Sequence, residues 1–300
     1  MARVYIASCG GQHVEQRPLG TTGLLVSAIG LGAGRIGDGD CDVDRLIGTA
    51  LDAGVTLIDT ARSYGLSEER LGRALKGRRE RVVLSTKIGY GISGIEDWTP
   101  ACITAGVDAA LARLQTDHID VVHLHSCPLD VLQRPGLIEA LLEVRAAGKV
   151  RVAAYSGEEE ALSSAIRSGI FGAVQCSVSV VDQGALETVA EARDRGIGVI
   201  AKRALGNAPW RFSARPSEPD VAEAWERFRV LNPSPPPFTA LFARFAAFAP
   251  GVSSALVGTA SPAHLAEACA AVAEGPLDAA VADRLRRSFA GVGREWHGRI

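Results

Sequence analysis

The chain has 300 residues, a formal net charge of −2 and 47% apolar residues. That balance fits a cytoplasmic globular protein and excludes the strongly basic face that a nucleic acid or an acidic membrane surface asks for. No apolar run approaches the ~20 residues of a membrane helix, and MARVYIASCGGQHVEQ at the N-terminus lacks the apolar stretch of a signal peptide. Residues 1–16 are read as an irregular lead-in to one domain spanning 1–300. The cysteines, Cys9, Cys41, Cys102, Cys127, Cys176 and Cys269, form no C-x-x-C pair. Reduced, mostly buried thiols are therefore expected, rather than a disulfide frame or a zinc ribbon.

Short apolar runs alternate with longer helical ones. Strands are expected at 28–34, 55–60, 81–87, 119–125, 149–156, 172–178, 198–202 and 253–258. Between the first two, Val43, Leu46, Ile47 and Leu51 fall near one helical face. PACITAGVDAALARLQ and RPGLIEALLEVRAAGK behave alike, and the second stops at Gly148 as a helix should. After the seventh strand, residues 206–237 form a proline-rich excursion around a helical patch, DVAEAWERFRVL. A long loop there lies over the mouth of a barrel as a functional cover, or is a passive surface excursion. Eight strand–helix units in this length indicate a (β/α)8 barrel. The competitor is an open doubly wound sheet, which normally carries G-x-G-x-x-G after its first strand. The nearest run here, GLGAGRIG, is not followed directly by a helix.

In a parallel barrel the reactive groups sit at the C-terminal ends of the strands. The second strand ends in Asp59, with Tyr64 in the following loop; the third ends in Lys87 and the fourth in His125. Each has a bland reading: a turn cap, a core phenol, a solvated strand end, a satisfied histidine. Together at one rim they have a joint chemical role. An ammonium beside a phenol favours loss of its proton, a carboxylate holds that ammonium charged, and an imidazole donates a hydrogen bond to a carbonyl oxygen. This set suits protonation of an oxygen that gains negative charge during hydride transfer. No side chain donates hydride, so a nicotinamide cofactor is required.

These segments resemble the aldo-keto reductase family. LIDTARSYG (57–65) is similar to its second-strand motif, STKIG (85–89) to its lysine strand, and LQTDHIDVVHLHSC (114–127) to its fourth strand. RPLGTTGLLVSAIGLGAG (17–34) resembles its N-terminal hairpin and first strand, and GVSSALVGTASPAHLAEA (251–268) its last strand and nucleotide-holding helix. The resemblance implies a barrel, a catalytic tetrad of Tyr64, Asp59, Lys87 and His125, and NADP or NAD as cofactor. The implied reaction is reduction of an aldehyde or ketone to an alcohol, or its reverse.

The implied cofactor positions are Ser156 and Gln175 at the carboxamide, Lys202, Leu205 and Gly206 near the ring and pyrophosphate, and Gly258, Thr259, His264 and Glu267 near the adenosine. Several depart from the family's habit. Gly157 replaces a common asparagine, Lys202 a tyrosine that stacks on nicotinamide, His264 an arginine, and Ala268 an asparagine. A 2′-phosphate wants a guanidinium or an ammonium. Thr259 and His264 offer neither, and Lys202 or Arg203 are the nearest compensators, so only family habit favours NADP. Trp98, Trp210 and Phe212 are candidates to wall the substrate pocket; packing under their own loops is the competing reading.

Other classes remain to be weighed. His123 and His125 point to one face of a strand and suit a metal-dependent hydrolase. Lys87 at a strand end suits a Schiff-base aldolase, although Asp59 opposes the neutral amine that chemistry needs. A nicotinamide-binding regulatory or redox-sensing subunit is the non-enzymatic alternative. The expected partner is a small carbonyl or alcohol, with no nucleic acid, membrane or metal; neither substrate identity nor oligomeric state is readable.

Overall fold

The computed structural model describes residues 13–234, 236–293 and 296–298. Two short strands, β1 (Gln16–Pro18) and β2 (Leu25–Ser27), pair antiparallel, with Gln16 opposite Ser27. Eight parallel strands then close a barrel: β3 (Ile29–Gly32), β4 (Leu57–Asp59), β5 (Val83–Ile88), β6 (Ile119–His125), β7 (Val150–Ser156), β8 (Ala173–Ser177), β9 (Gly198–Lys202) and β10 (Ser254–Gly258). They follow chain order, and β10 returns to pair with β3. Each lies within or within one residue of its expected run, and the open-sheet alternative is set aside. Of the expected lead-in, residues 1–12 lie outside the described residues. Gln16 already belongs to the hairpin, one residue earlier than expected, because its side-chain amide donates to the Gly54 carbonyl at 2.8 Å and ties it to the first α–β turn.

The helices are α1 (Val43–Asp52), α2 (Ser67–Ala74), α3 (Pro100–Leu114), α4 (Leu129–Leu132), α5 (Leu137–Ala146), α6 (Glu159–Ser168), α7 (Leu186–Asp194), α8 (Pro219–Leu231), α9 (Phe238–Ala247), α10 (Pro262–Ala273) and α11 (Ala279–Val292). Their starts are written locally. Asp42 accepts from Arg45 N–H ahead of α1, and Thr99 from Cys102 N–H ahead of α3. Ser261 accepts from His264 N–H ahead of α10, and Pro100 and Pro262 take first-turn positions that need no donor. Among the described residues, no helix is long and apolar enough to cross a membrane.

Three apolar clusters divide the work. The largest joins the outer faces of the strands to the helices. A second fills the barrel, where Leu57, Val121, Val152 and Ile200 meet Leu19 and Val26 of the hairpin. The hairpin therefore closes the N-terminal end of the barrel. Gly20 fits this closure at φ 55, since a Cβ there would lie 2.3 Å from Gly198 N. The third cluster belongs to the excursion after β9, with α8, α9 and α11. The functional rim is left at the opposite, C-terminal end.

Candidate active site

Strand register assembles the rim. Asp59 pairs with Ser85, Lys87 with His123, His125 with Ser156, and Ser156 with Gln175. Lys87 Nζ donates to Asp59 Oδ2 at 2.5 Å and to the Thr60 carbonyl at 2.8 Å. Asp59 Oδ1 accepts from Ser85 Oγ at 2.7 Å and, across the barrel, from Gln175 Nε2 at 3.1 Å. Both charged groups are buried, at 3% and 2% exposure for Asp59 and Lys87. Burial opposes each charge, but the pairing outweighs it: the Asp59 pKa lies below its ordinary value and the Lys87 pKa above.

Tyr64 stands over this pair, its ring centroid 5.0 Å from Lys87 Nζ. Its loop is pinned at both ends. Ser67 Oγ donates to the Ala33 carbonyl at 2.8 Å and bonds Thr60 Oγ1 at 2.7 Å. Leu66 N–H donates to Gly37, and a Cβ at Gly37 would lie 1.9 Å from the Tyr64 carbonyl oxygen. His125 meets the Tyr64 ring edge-on, centroids 6.0 Å apart. Burial, then the Lys87 charge, push the His125 pKa down to about 3, so the imidazole is neutral at ordinary pH.

His123 lies one layer deeper, fully buried, with Nε2 3.2 Å from Ser85 Oγ. Burial pushes its pKa down to about 4. Among the described residues no group of three or more His, Cys, Asp or Glu side chains gathers to hold a metal, so the hydrolase reading lacks a third ligand there. The raised Lys87 pKa opposes the neutral amine of an aldolase.

The expected cofactor positions form an arc along the same rim. Ser156 Oγ donates to Gln175 Oε1 at 3.2 Å. Lys202 Nζ lies 3.1 Å from Glu158 Oε1, a buried carboxylate that also accepts from Ser177 N–H and Oγ. Burial lowers the Lys202 pKa, and Glu158 offsets only part of that. Arg203 pairs with Asp220 at 3.2 Å. Leu205 precedes Gly206, whose φ of 54 favours glycine and where an added Cβ would lie 2.6 Å from Val181. Gly258 is exposed at the end of β10, Thr259 Oγ1 accepts from Ser261 N–H at 3.0 Å, and His264 and Glu267 are exposed at the start of α10.

The aromatic candidates separate. Trp98 reaches the rim, 5.7 Å from Tyr90. Trp210 packs against α9, 4.8 Å from Phe242 and 5.8 Å from Phe238, where tilted ring contacts hold it in the cluster behind the excursion. Phe212 is 40% exposed. Three polar residues escaped the sequence reading: Ser85, Tyr90 and Glu158. Ser85 sits two before Lys87 and so shares its face, a usable signal. Glu158 lies 44 positions from Lys202 in sequence, and no local pattern links them.

Barrel and rim together define a (β/α)8 protein with an acid–base cluster at its C-terminal face, an architecture that suits carbonyl oxidoreductases. The chain belongs to the aldo-keto reductases: the family model described as "Aldo/keto reductase family" matches residues 28–289. L-galactose dehydrogenase of Arabidopsis thaliana is 29% identical over 288 residues, 87% of this chain and 89% of that protein. The NADH-specific methylglyoxal reductase of Escherichia coli is 33% identical over 214 residues, covering 62% and 66%. Among solved structures, the holo form of an aldo-keto reductase from Bacillus halodurans aligns with a TM-score of 0.81 at 26% identity, covering 92% of this chain and 96% of that one. The chain is thus an oxidoreductase of this family.

Proposed function

We propose that the whole chain is one catalytic barrel that reduces a small aldehyde or ketone with NADH or NADPH, Tyr64 supplying the proton. The observation that carries this reading is the buried Lys87 ammonium, held by Asp59 at 2.5 Å and placed 5.0 Å from the Tyr64 ring. As a carbonyl carbon gains hydride, its oxygen gains negative charge. Tyr64 transfers its phenolic proton to that oxygen, and Lys87 stabilises the phenolate left behind. Asp59 keeps Lys87 charged and fixed. His125, neutral, donates a second hydrogen bond to the same oxygen. Alcohol oxidation runs the same transfers backwards.

The rim fits a nicotinamide nucleotide, which supplies the hydride when bound. Ser156 and Gln175 carry the hydroxyl and amide that would hold a carboxamide, exchanging their mutual hydrogen bond for it. An added Cβ at Gly258 meets nothing within 4 Å, so the strand end is open to close backbone approach. The N-terminus of α10 follows directly and favours phosphate. Lys202 and Arg203 are both engaged by carboxylates, so a 2′-phosphate would have to compete for these cations, which supports NADH as an accepted cofactor.

The test pairs nicotinamide fluorescence titration with turnover on an aldehyde panel. Tyr64→Phe is expected to lower kcat by ~10²–10⁴ while leaving cofactor affinity nearly unchanged. Wild-type turnover in that variant sinks the mechanism. Tight cofactor binding with no turnover in the wild type favours a regulatory subunit instead.

A further inference from the structure

Outside the four residues given chemical roles above, one side chain grips the same imidazole. Tyr90, in the turn after β5, stacks on His125 with ring centroids 5.5 Å apart and planes 23° from parallel. Its hydroxyl oxygen lies 2.8 Å from His125 Nδ1. One contact with the ring face and one with a ring nitrogen fix both the tilt and the rotation of the imidazole.

The loop is built to hold Tyr90 there. Gly89 has φ 132, a region that strains a side chain, and a Cβ would lie 2.1 Å from the Trp98 ring. The Trp98 ring therefore lies against the Gly89 backbone, and the Trp98 backbone N–H donates to the Gly89 carbonyl at 2.7 Å. Gly91 N–H donates to Asp97 Oδ1 at 2.8 Å, and Arg62 Nε donates to the Gly91 carbonyl at 2.7 Å. Rings then follow one another from Trp98 to Tyr90, His125 and Tyr64.

A neutral imidazole carries one N–H and one lone pair, and the partner of one nitrogen decides which nitrogen holds the proton. Imidazole nitrogen is far more basic than a phenol oxygen, so the favoured arrangement has the Tyr90 O–H donating to Nδ1. Ser63 Oγ, 3.4 Å from the Tyr90 oxygen, is the longer, competing acceptor for the same O–H, and the 2.8 Å contact with Nδ1 is the closer of the two. We infer that Tyr90 is a positioning residue whose hydroxyl holds His125 in the Nε2–H tautomer, so that the free ring nitrogen meets the substrate oxygen as a donor. This rests on the carbonyl reduction proposed above. In the other tautomer Nε2 presents a lone pair to a carbonyl oxygen, two acceptors face to face. The depressed His125 pKa keeps the ring neutral, so the tautomer decides what the site offers.

Tyr90→Phe keeps the stacked ring and deletes the hydroxyl. The readout is 15N NMR of histidine-labelled protein without ligand, with His125 signals assigned by their loss in His125→Gln. The wild type is expected to show protonated Nε2 and bare Nδ1, and Tyr90→Phe a mixture of tautomers. In parallel, kcat for carbonyl reduction falls roughly 10–100-fold, the size typical of losing the hydrogen bond that orients a functional imidazole, while cofactor Kd and thermal unfolding hold. A wild-type Nδ1–H tautomer, an unchanged Tyr90→Phe spectrum, or an unchanged kcat overturns the assignment. A wild type that reduces no carbonyl counts against the reaction itself; the NMR signals of the same sample still decide the hydrogen bond.

Discussion

The Tyr155 ring fills the space that a side chain at Gly157 needs: an added Cβ would lie 2.4 Å from its hydroxyl oxygen and 2.7 Å from its ring carbons. The ring cannot yield, because it is fully buried and its hydroxyl donates to the Cys127 carbonyl at 2.8 Å. The asparagine that the family resemblance leads one to expect at this place would meet this neighbour. Gly157→Asn is expected to destabilise the fold by ~1–3 kcal/mol through overpacking. Adding Tyr155→Leu should cost less than the two single changes summed, with a coupling of about 0.5–3 kcal/mol. Chemical denaturation of the four proteins measures it, and strict additivity refutes the clash.

Lys87→Met leaves the Asp59 carboxylate buried with only Ser85 and Gln175 as partners. A stability loss of ~3–5 kcal/mol is expected. Asp59→Asn on top of it should recover part of the stability and none of the turnover. Asp59 has a lowered pKa, so its contribution is present above the unfolded carboxylate value and is lost as pH falls through the lower folded one. An equally unstable double variant would contradict the pairing.

His123 and His125 should make the protein acid-sensitive earlier than its carboxylates alone would. Their pKa values fall from the ordinary 6.5 to about 4 and about 3. Below pH ~6.5 the unfolded chain binds protons that the folded one refuses, so stability drops as pH falls. The loss is on the order of 3 kcal/mol for each group by pH 4. His123→Asn should flatten urea midpoints measured between pH 7 and 4. The same depression predicts no limb near pH 6.5 from His125 in the activity profile.

NADH is expected to bind at least as tightly as NADPH. His264 is exposed at the start of α10, and His264→Arg places a permanent cation there. That variant should gain about tenfold in NADPH affinity, the worth of one charge-assisted hydrogen bond, with NADH unaffected. Equal gains for both cofactors would place the residue away from the 2′ position.

The eight barrel strands were legible because each is a short apolar run bounded by turn residues, and strand ends then located Asp59, Lys87 and His125. The two-residue spacing likewise put His123 beneath His125. What escaped depends on loop closure. Tyr90 reads as an ordinary loop aromatic until Gly89 and Trp98 fold it onto His125. Trp210 reads as a pocket wall until Phe228, Phe238 and Phe242 claim it. The Glu158–Lys202 pair joins separate strand ends that come together only in the closed barrel.

The excursion after β9 packs into an interior that it shares with the turn after β8, which supplies Val180 and Val181. Val180, Val181, Phe242 and Phe245 pack there with Ala224 of α8, while Ala243, Ala246 and Ala247 of α9 face the barrel instead. Leu205 touches both interiors. Such a seam lets the outer piece drift, shorten or be exchanged between relatives without asking the eight strands to readjust. The shape of the mouth can then evolve on a separate clock from the proton-handling machinery below it.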